Sequence, residues 1–356
     1  MRWDHMRLDE PGDGAAPDGC GTPGQALFDR GAVARTFDTP GFRGMTFYEV
    51  HAKSIVNRVP ATSRMAFTWT INPYRGCQHA CRYCFARNTH TYLDLDAGHD
   101  FDSKVVVKVN APELLRKKLA SAGWRGEHIA MGTNVDCYQR AEGKYQLMRG
   151  IITALRDAAN PFSILTKGTL ILRDLHLLTE AAQVTDVGLN VSAGFVDKEL
   201  WRTLEPGTPS PERRLDACAT LTAAGLRCGV LMGPIVPFLS DSPAQLRAAV
   251  RRAADSGAAH VTPIILHLRP GTREWYLNWL NDHHPELVGR YLRFYGRGAY
   301  APKAYQAEIS GQVRELAARF GVGSASPAAS RRVGPPEGQA EPARPAEPEQ
   351  VQLSLL

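Results

Sequence analysis

The chain contains no run of about 18 apolar residues, so no membrane-crossing helix and no membrane partner are expected. Its opening, Met1–Glu10, is charged and mixed and lacks the apolar stretch of an export signal. It shows no repeat of fixed period, which excludes solenoids and propellers. It also lacks the paired C-x2-C elements that usually frame structural zinc. Its seven cysteines are an odd number, and three crowd into eight residues. Without an export signal, that pattern favours metal ligation over disulfides and places the chain in a reducing cytoplasm.

What is present suits one large core, or one core and a small second unit: 356 residues, 44% of them hydrophobic. The formal charge is +6. A basic balance permits phosphate contacts. Heavy use of Arg with Ala, Gly and Pro is equally the mark of a GC-rich genome.

Short apolar runs alternate with helical patterns from about Ala61. Strands are expected at 66–71, 104–109, 128–133, 162–166, 187–192, 227–236 and 260–268. Helices are expected after Asn110, which would cap the first, and over 144–158, 175–182, 212–224 and 242–257. Such alternation implies parallel βαβ units. The fold class expected is α/β, a partial parallel (β/α)6-type barrel with an irregular N-terminal segment and a disordered C-terminal tail. The expected bounds are 1–53 for a partly disordered extension, 54–270 for the barrel, 271–323 for a helical, aromatic extension and 324–356 for the tail.

The chemistry-bearing segment runs from Asn72 to Arg87 and holds Cys77, Cys81 and Cys84 as C-x3-C-x2-C. Three thiolates at this spacing can grip one corner of an iron–sulfur cubane. Electron-transfer clusters normally have four cysteines, and Cys137, Cys218 and Cys228 lie far off. A cluster with three protein ligands leaves one iron open, as catalytic metal sites do. The motif follows the first strand, and parallel barrels carry their chemistry at the C-terminal strand ends. A zinc site completed by His79 or His90 is the alternative, and would make the chain a metal-binding module without catalysis.

The cysteine spacing, with aromatic Tyr83 before Cys84, resembles the signature of the radical S-adenosylmethionine (SAM) superfamily. The resemblance implies a 4Fe–4S cluster on Cys77, Cys81 and Cys84, with SAM on the open iron. It implies an external one-electron donor of the flavodoxin or ferredoxin type, and reductive cleavage of SAM to a 5′-deoxyadenosyl radical. Over about Ser54–Leu268 the chain resembles the spore-photolyase-like branch. The matches are Asn72–Cys77, Met131–Asn134 with Asp136, Tyr138, Gln139 and Glu142, Thr166-Lys167, Arg173-Asp174, Glu205-Pro206, Arg213-Arg214 and Pro234–Pro237. Cys137 stands where that branch usually has proline.

Carried over, the resemblance puts the Tyr83 backbone against the SAM adenine. It puts Asn190 and Ser192 at the ribose or carboxylate, and Lys167 and Arg214 at the carboxylate. Asp136, Tyr138 and Glu142 follow a strand end and are candidates for acid–base or hydrogen-bonding roles. The alternative for Asp136 is a helix cap. Spore photolyases repair a thymine dimer in DNA and use a cysteine and a tyrosine to return hydrogen. Thr133 and Phe85 stand at the matching places, and neither has an S–H or phenolic O–H. Cys137 is the substitute donor to be tested.

Two further signals bear on partners. Arg273, Arg290, Arg293 and Arg297 interleave with Trp275, Tyr276, Trp279, Tyr291, Phe294, Tyr295 and Tyr300. This suits a DNA or RNA platform, yet the i, i+3, i+4 spacing suits core packing better. The C-terminal Gln352–Leu356 (QLSLL) resembles the peptide that docks bacterial DNA enzymes on the sliding clamp.

Overall fold

The computed structural model describes residues 31–60, 65 and 67–324. Most of the expected N-terminal disorder and the whole of the QLSLL peptide lie outside these residues. Among the described residues no helix is long and apolar enough to cross a membrane.

The strands, in chain order, are β1 Val33–Arg35, β2 Thr46–Val50, β3 Val56–Arg58, β4 Trp69–Ile71, β5 Tyr74–Arg75 and β6 Lys104–Lys108. Then come β7 Ile129–Met131, β8 Phe162–Thr166, β9 Val187–Ser192, β10 Cys228–Ile235, β11 His260–Ile265 and β12 Gly323–Ser324. One sheet has the order β12-β11-β10-β9-β8-β7-β4-β3. The six strands from β4 through β7, β8, β9 and β10 to β11 all run parallel. This is the expected partial (β/α)6 barrel. Antiparallel β3 borders one edge and parallel β12 the other. Such strands are covered on both faces, and every residue of β10 is buried.

The segment 104–109 departs from expectation. Its strand β6 leaves the barrel for a second sheet, β1-β2-β6-β5. The irregular N-terminal segment therefore contributes two strands, β1 and β2. The small sheet serves the cysteine loop. Tyr74 and Arg75 pair with Val107 and Val106, immediately before Gly76 and Cys77. Alternating apolarity could not distinguish β6 from a barrel strand, because it too is buried on both faces.

The helices differ from expectation in two places. Asn110 stands at the start of the helix Ala111–Leu119 but does not cap it. Its side-chain amide instead bridges the Ala52 backbone, accepting from N at 2.9 Å and donating to O at 3.0 Å. The expected helix 144–158 is two helices, Arg140–Tyr145 and Leu147–Asp157, broken at Gln146 with φ +52. The second buries Leu147, Met148, Ile151, Ile152 and Leu155, one face at helical spacing. The helices Pro211–Ala223 and Pro243–Asp255 start as caps dictate: Ser210 and Ser242 accept backbone N–H bonds ahead of a first-turn proline.

Past β11, Tyr276, Trp279, Tyr291 and Tyr295 are buried in one aromatic cluster. Core packing claims these rings, so they offer no nucleic-acid platform. Phe294 packs half-buried against them, Trp275 lies half-buried against Arg82 and Arg87, and Tyr300 is 58% exposed.

Candidate active site

The C-terminal ends of the barrel strands open into a cavity of about 470 Å³. Cys77, Cys81 and Cys84 line one side; Thr133, Asp136, Lys167, Ser192 and Gly233 line the strand-end side.

The cysteine loop is fixed by its backbone. Cys77 N–H donates to Phe101 O at 2.9 Å, and Arg82 N–H to Leu204 O at 3.0 Å. Gly76 has φ +80, and a Cβ there would lie 2.7 Å from Lys104 O, so only glycine fits. Gln139 bonds both sides of Cys77, donating to Gly76 O and accepting from Gln78 N–H. Gln78 in turn accepts the Ala141 N–H at 2.6 Å. Arg87, fully buried, ties the far end. It donates to Cys81 O, Ala97 O, Gly98 O and, at 2.7 Å, to Asp102 Oδ1.

Burial pushes all three free thiols up, Cys81 to about 12. Bare thiolates are therefore unfavourable here, whereas bonds to iron would hold the sulfurs deprotonated. Among the described residues no three Cys, His, Asp or Glu side chains converge as ligands of a single ion must. Three thiols that line one cavity and lie near enough to sense one another suit a cubane held at three of its irons. The histidines of the zinc alternative are engaged elsewhere. His79 Nδ1 lies 3.3 Å from Asp136, and His90 Nε2 is 2.8 Å from Lys104 O.

Asp136 lines the cavity as an anchor. Its carboxylate accepts from Tyr138 N–H, Thr166 Oγ1 and Lys167 N–H at 2.6–2.8 Å, besides facing His79. Burial would raise its pKa, but the His79 ring, the Thr166 hydroxyl and the Lys167 amide outweigh burial and hold it at about 2. The bond to Tyr138 N–H spans two residues and caps no helix, since the next begins at Arg140.

Tyr138 and Cys137 leave the cavity. The Tyr138 hydroxyl donates to Asp174 at 3.2 Å, and Cys137 is wholly buried in the core. Glu142 is also buried, held by Tyr74, the Met148 N–H and Arg173. Position after a strand end suggested site roles, but the chain turns inward at Asp136.

Lys167 projects across the ends of β9 and β10. Its Nζ donates to Ser192 Oγ at 2.5 Å and to Gly233 O at 3.1 Å, and lies 3.5 Å from Glu205. Arg214, expected beside it, is buried behind the wall. It donates to Glu205, Thr208 Oγ1, Pro209 O and Ser192 O. Glu205 also accepts the Tyr83 hydroxyl. Burial would raise the Glu205 carboxyl, but Arg214 and Lys167 hold it at about 2. Asn190 lies off the main cavity, its Oδ1 3.1 Å from His260 Nε2. Tyr83, Lys167 and Ser192 are thus brought together, while Arg214 and Asn190 stand behind them. Sequence reasoning missed Arg87 as a loop clip and Glu205 as the hub of this network. The adjacent Glu205-Pro206 and Arg213-Arg214 pairs carried the signal for Glu205.

The model of the family described as the radical SAM superfamily matches residues 71–257. An uncharacterised protein of Mycobacterium tuberculosis is 46% identical over 344 residues, covering 96% of this chain and 97% of that protein. One of Methanocaldococcus jannaschii is 31% identical over 235 residues, 65% of this chain and 77% of that protein. In structure the chain is similar to spore photoproduct lyase complexed with dinucleoside spore photoproduct. The TM-score is 0.58 at 14% identity, over 79% of this chain and 81% of that one. The superfamily uses a 4Fe–4S cluster with SAM and needs an electron donor, and the thiol wall fits that cluster. The family match and the cysteine wall carry the same conclusion: this chain belongs to the radical SAM superfamily and is an enzyme of that class.

Proposed function

We propose that the chain reductively cleaves SAM and turns the resulting 5′-deoxyadenosyl radical on a C–H bond of a nucleic-acid base. The observation that carries this reading is the outer cavity wall. Phe85 and His267 have ring centroids 6.3 Å apart, and His267 and Tyr300 5.6 Å. Phe85 is 38% and Tyr300 58% exposed, and the Arg269 guanidinium lies 5.5 Å from the Phe85 ring. Exposed rings beside a cation suit a base and its phosphate. Thr133 and Phe85 both line the cavity without an S–H or phenolic O–H. This supports a use of the radical different from dimer repair.

In this reading Lys167 and Ser192 receive the SAM carboxylate and Tyr83 the adenine side. Glu205 and Arg214 hold Lys167 and Tyr83 in place, with Asn190 behind. Asp136 is a positioning residue that fixes the turn after β7 through His79 and the Lys167 amide. Cys137 and Tyr138 pack beneath that turn. The compartment fitting this chemistry is a reducing cytoplasm, consistent with six free cysteines among the described residues. The Gln352–Leu356 peptide would tether the enzyme to a sliding clamp, and truncation at Gln350 would abolish clamp pull-down.

The test is anaerobic turnover with dithionite, SAM and deuterated single-stranded DNA or RNA. Deuterium in 5′-deoxyadenosine supports the reading. SAM cleavage that no nucleic acid stimulates or labels contradicts it.

A further inference from the structure

Cys84 is half-buried, whereas Cys77 and Cys81 are buried. The bonds its own loop supplies are local. Its N–H donates to Cys81 O at 3.2 Å, and its carbonyl accepts the Arg87 N–H at 3.3 Å. Support from outside the loop comes from 188 residues away. Thr272, fully buried at the start of the helix Thr272–His283, donates its hydroxyl to Cys84 O at 3.0 Å.

Trp275 stands three residues on, on the same face of that helix. The Arg87 guanidinium lies 4.8 Å from its ring and that of Arg82 5.5 Å, and both arginines belong to the cysteine loop. A Cβ at Gly98 would lie 2.6 Å from the same ring. The turn ahead of the helix is fixed as well. Gly271 has φ +83, its N–H donates to Glu274 at 2.5 Å, and Asn88 donates to Pro270 O. A Cβ at Gly271 would overlap the Asn88 amide, so only glycine fits. The first turn of this helix thus closes on the cysteine loop at its backbone and at its arginines. It lies beyond residues 71–257, the span the superfamily model matches.

We propose that Thr272 and Trp275 are positioning residues for Cys84. They hold the third cluster cysteine and the peptide after it in one orientation, and they keep water from that side of the cluster. Reduction adds a negative charge that water stabilises, so loosening this contact favours the reduced cluster. The inference rests on the cluster assignment and is independent of the substrate.

Arg273 separates positioning from mere scaffolding. It sits in the same turn, but its guanidinium donates to Gly298 O and Gly296 O, away from the cysteine loop. The test uses the full-length protein, reconstituted anaerobically, without SAM or substrate. Three properties are read: iron retention against EDTA, the EPR signal after dithionite reduction, and the midpoint potential. Thr272→Val should lose iron severalfold faster and change the EPR signal. It should favour the reduced form about threefold or more, an upward shift of roughly 30 mV or more for one electron. Thr272→Ser keeps the hydroxyl and should restore the parental values. Trp275→Leu should act in the same direction as Thr272→Val, and Trp275→Phe more weakly. Arg273→Ala should lower the denaturant midpoint of the apoprotein and leave the potential and EPR signal unchanged. Parental iron retention, EPR signal and potential in folded Thr272→Val overturn the proposal. So do equal shifts in Arg273→Ala, which would make the helix a scaffold. A parent chain that takes up no iron contradicts the cluster assignment itself, and the inference falls with it.

Discussion

Lys167 and Ser192 meet at the wall of the cavity, lysine Nζ to serine Oγ at 2.5 Å, bridging the ends of β8 and β9. The ammonium faces the cysteines' cavity from strand ends, while Arg214, 3.0 Å from Ser192 O, faces away from it. The two cations therefore separate by experiment. Hydrogen bonds to charged groups contribute roughly 1.5–3 kcal/mol, about 10- to 100-fold in affinity. Lys167→Ala should weaken SAM binding by that factor with iron content intact. An unchanged SAM affinity, read by equilibrium dialysis, would remove Lys167 from the cofactor site.

Arg214 should act on stability instead. It and Glu205 are both about 1% exposed, so removing the arginine strands a buried carboxylate. Arg214→Met should cost about 3–5 kcal/mol in denaturant unfolding of the apoprotein. The double Arg214→Met, Glu205→Gln should lose less than the single. A double that loses more would show that the pair is not the reason.

Arg87 carries a prediction about the cluster. Its fork reaches three backbone carbonyls and Asp102, a geometry that lysine cannot copy. Arg87→Lys and Arg87→Ala should both lose iron on gel filtration after reconstitution. The alanine variant should also be about 2–4 kcal/mol less stable. Full iron retention in Arg87→Ala would contradict a clamping role.

The barrel was legible because its parallel strands are short apolar runs separated by capped helices. The three cysteines were legible because their spacing is local. What the sequence hid depends on contacts far apart in the chain. β6 looks like a barrel strand until β2, 58 residues earlier by the Val50–Lys108 pairing, is seen beside it. Lys167 directly follows a strand and Arg214 lies in the helix Pro211–Ala223; both reach Glu205, and only the fold shows that the arginine is buried while the lysine lines the cavity. The aromatic series 275–295 was ambiguous between platform and core, and helical spacing correctly pointed to core.

His128 predicts a pH dependence remote from the cluster. Burial lowers its pKa to about 4, against an ordinary 6.5, although Asp186 pulls the other way. The unfolded chain thus takes up this proton first as pH falls. Stability should be unaffected by His128 above pH 6.5 and decline between 6.5 and 4, by on the order of 2 kcal/mol. The apoprotein carrying His128→Leu should show a shallower decline in its denaturant midpoint over that window. Parallel curves would contradict the assignment.

The central claim is that Cys77, Cys81 and Cys84 hold an open-iron cluster that activates SAM. The most direct measurement is iron, sulfide and zinc per chain after anaerobic reconstitution, paired with 5′-deoxyadenosine release on reduction. The account predicts about four iron and four sulfide per chain with SAM cleavage, all lost on Cys77→Ala, Cys81→Ala or Cys84→Ala. A colourless protein with one zinc per chain and no SAM cleavage would contradict it.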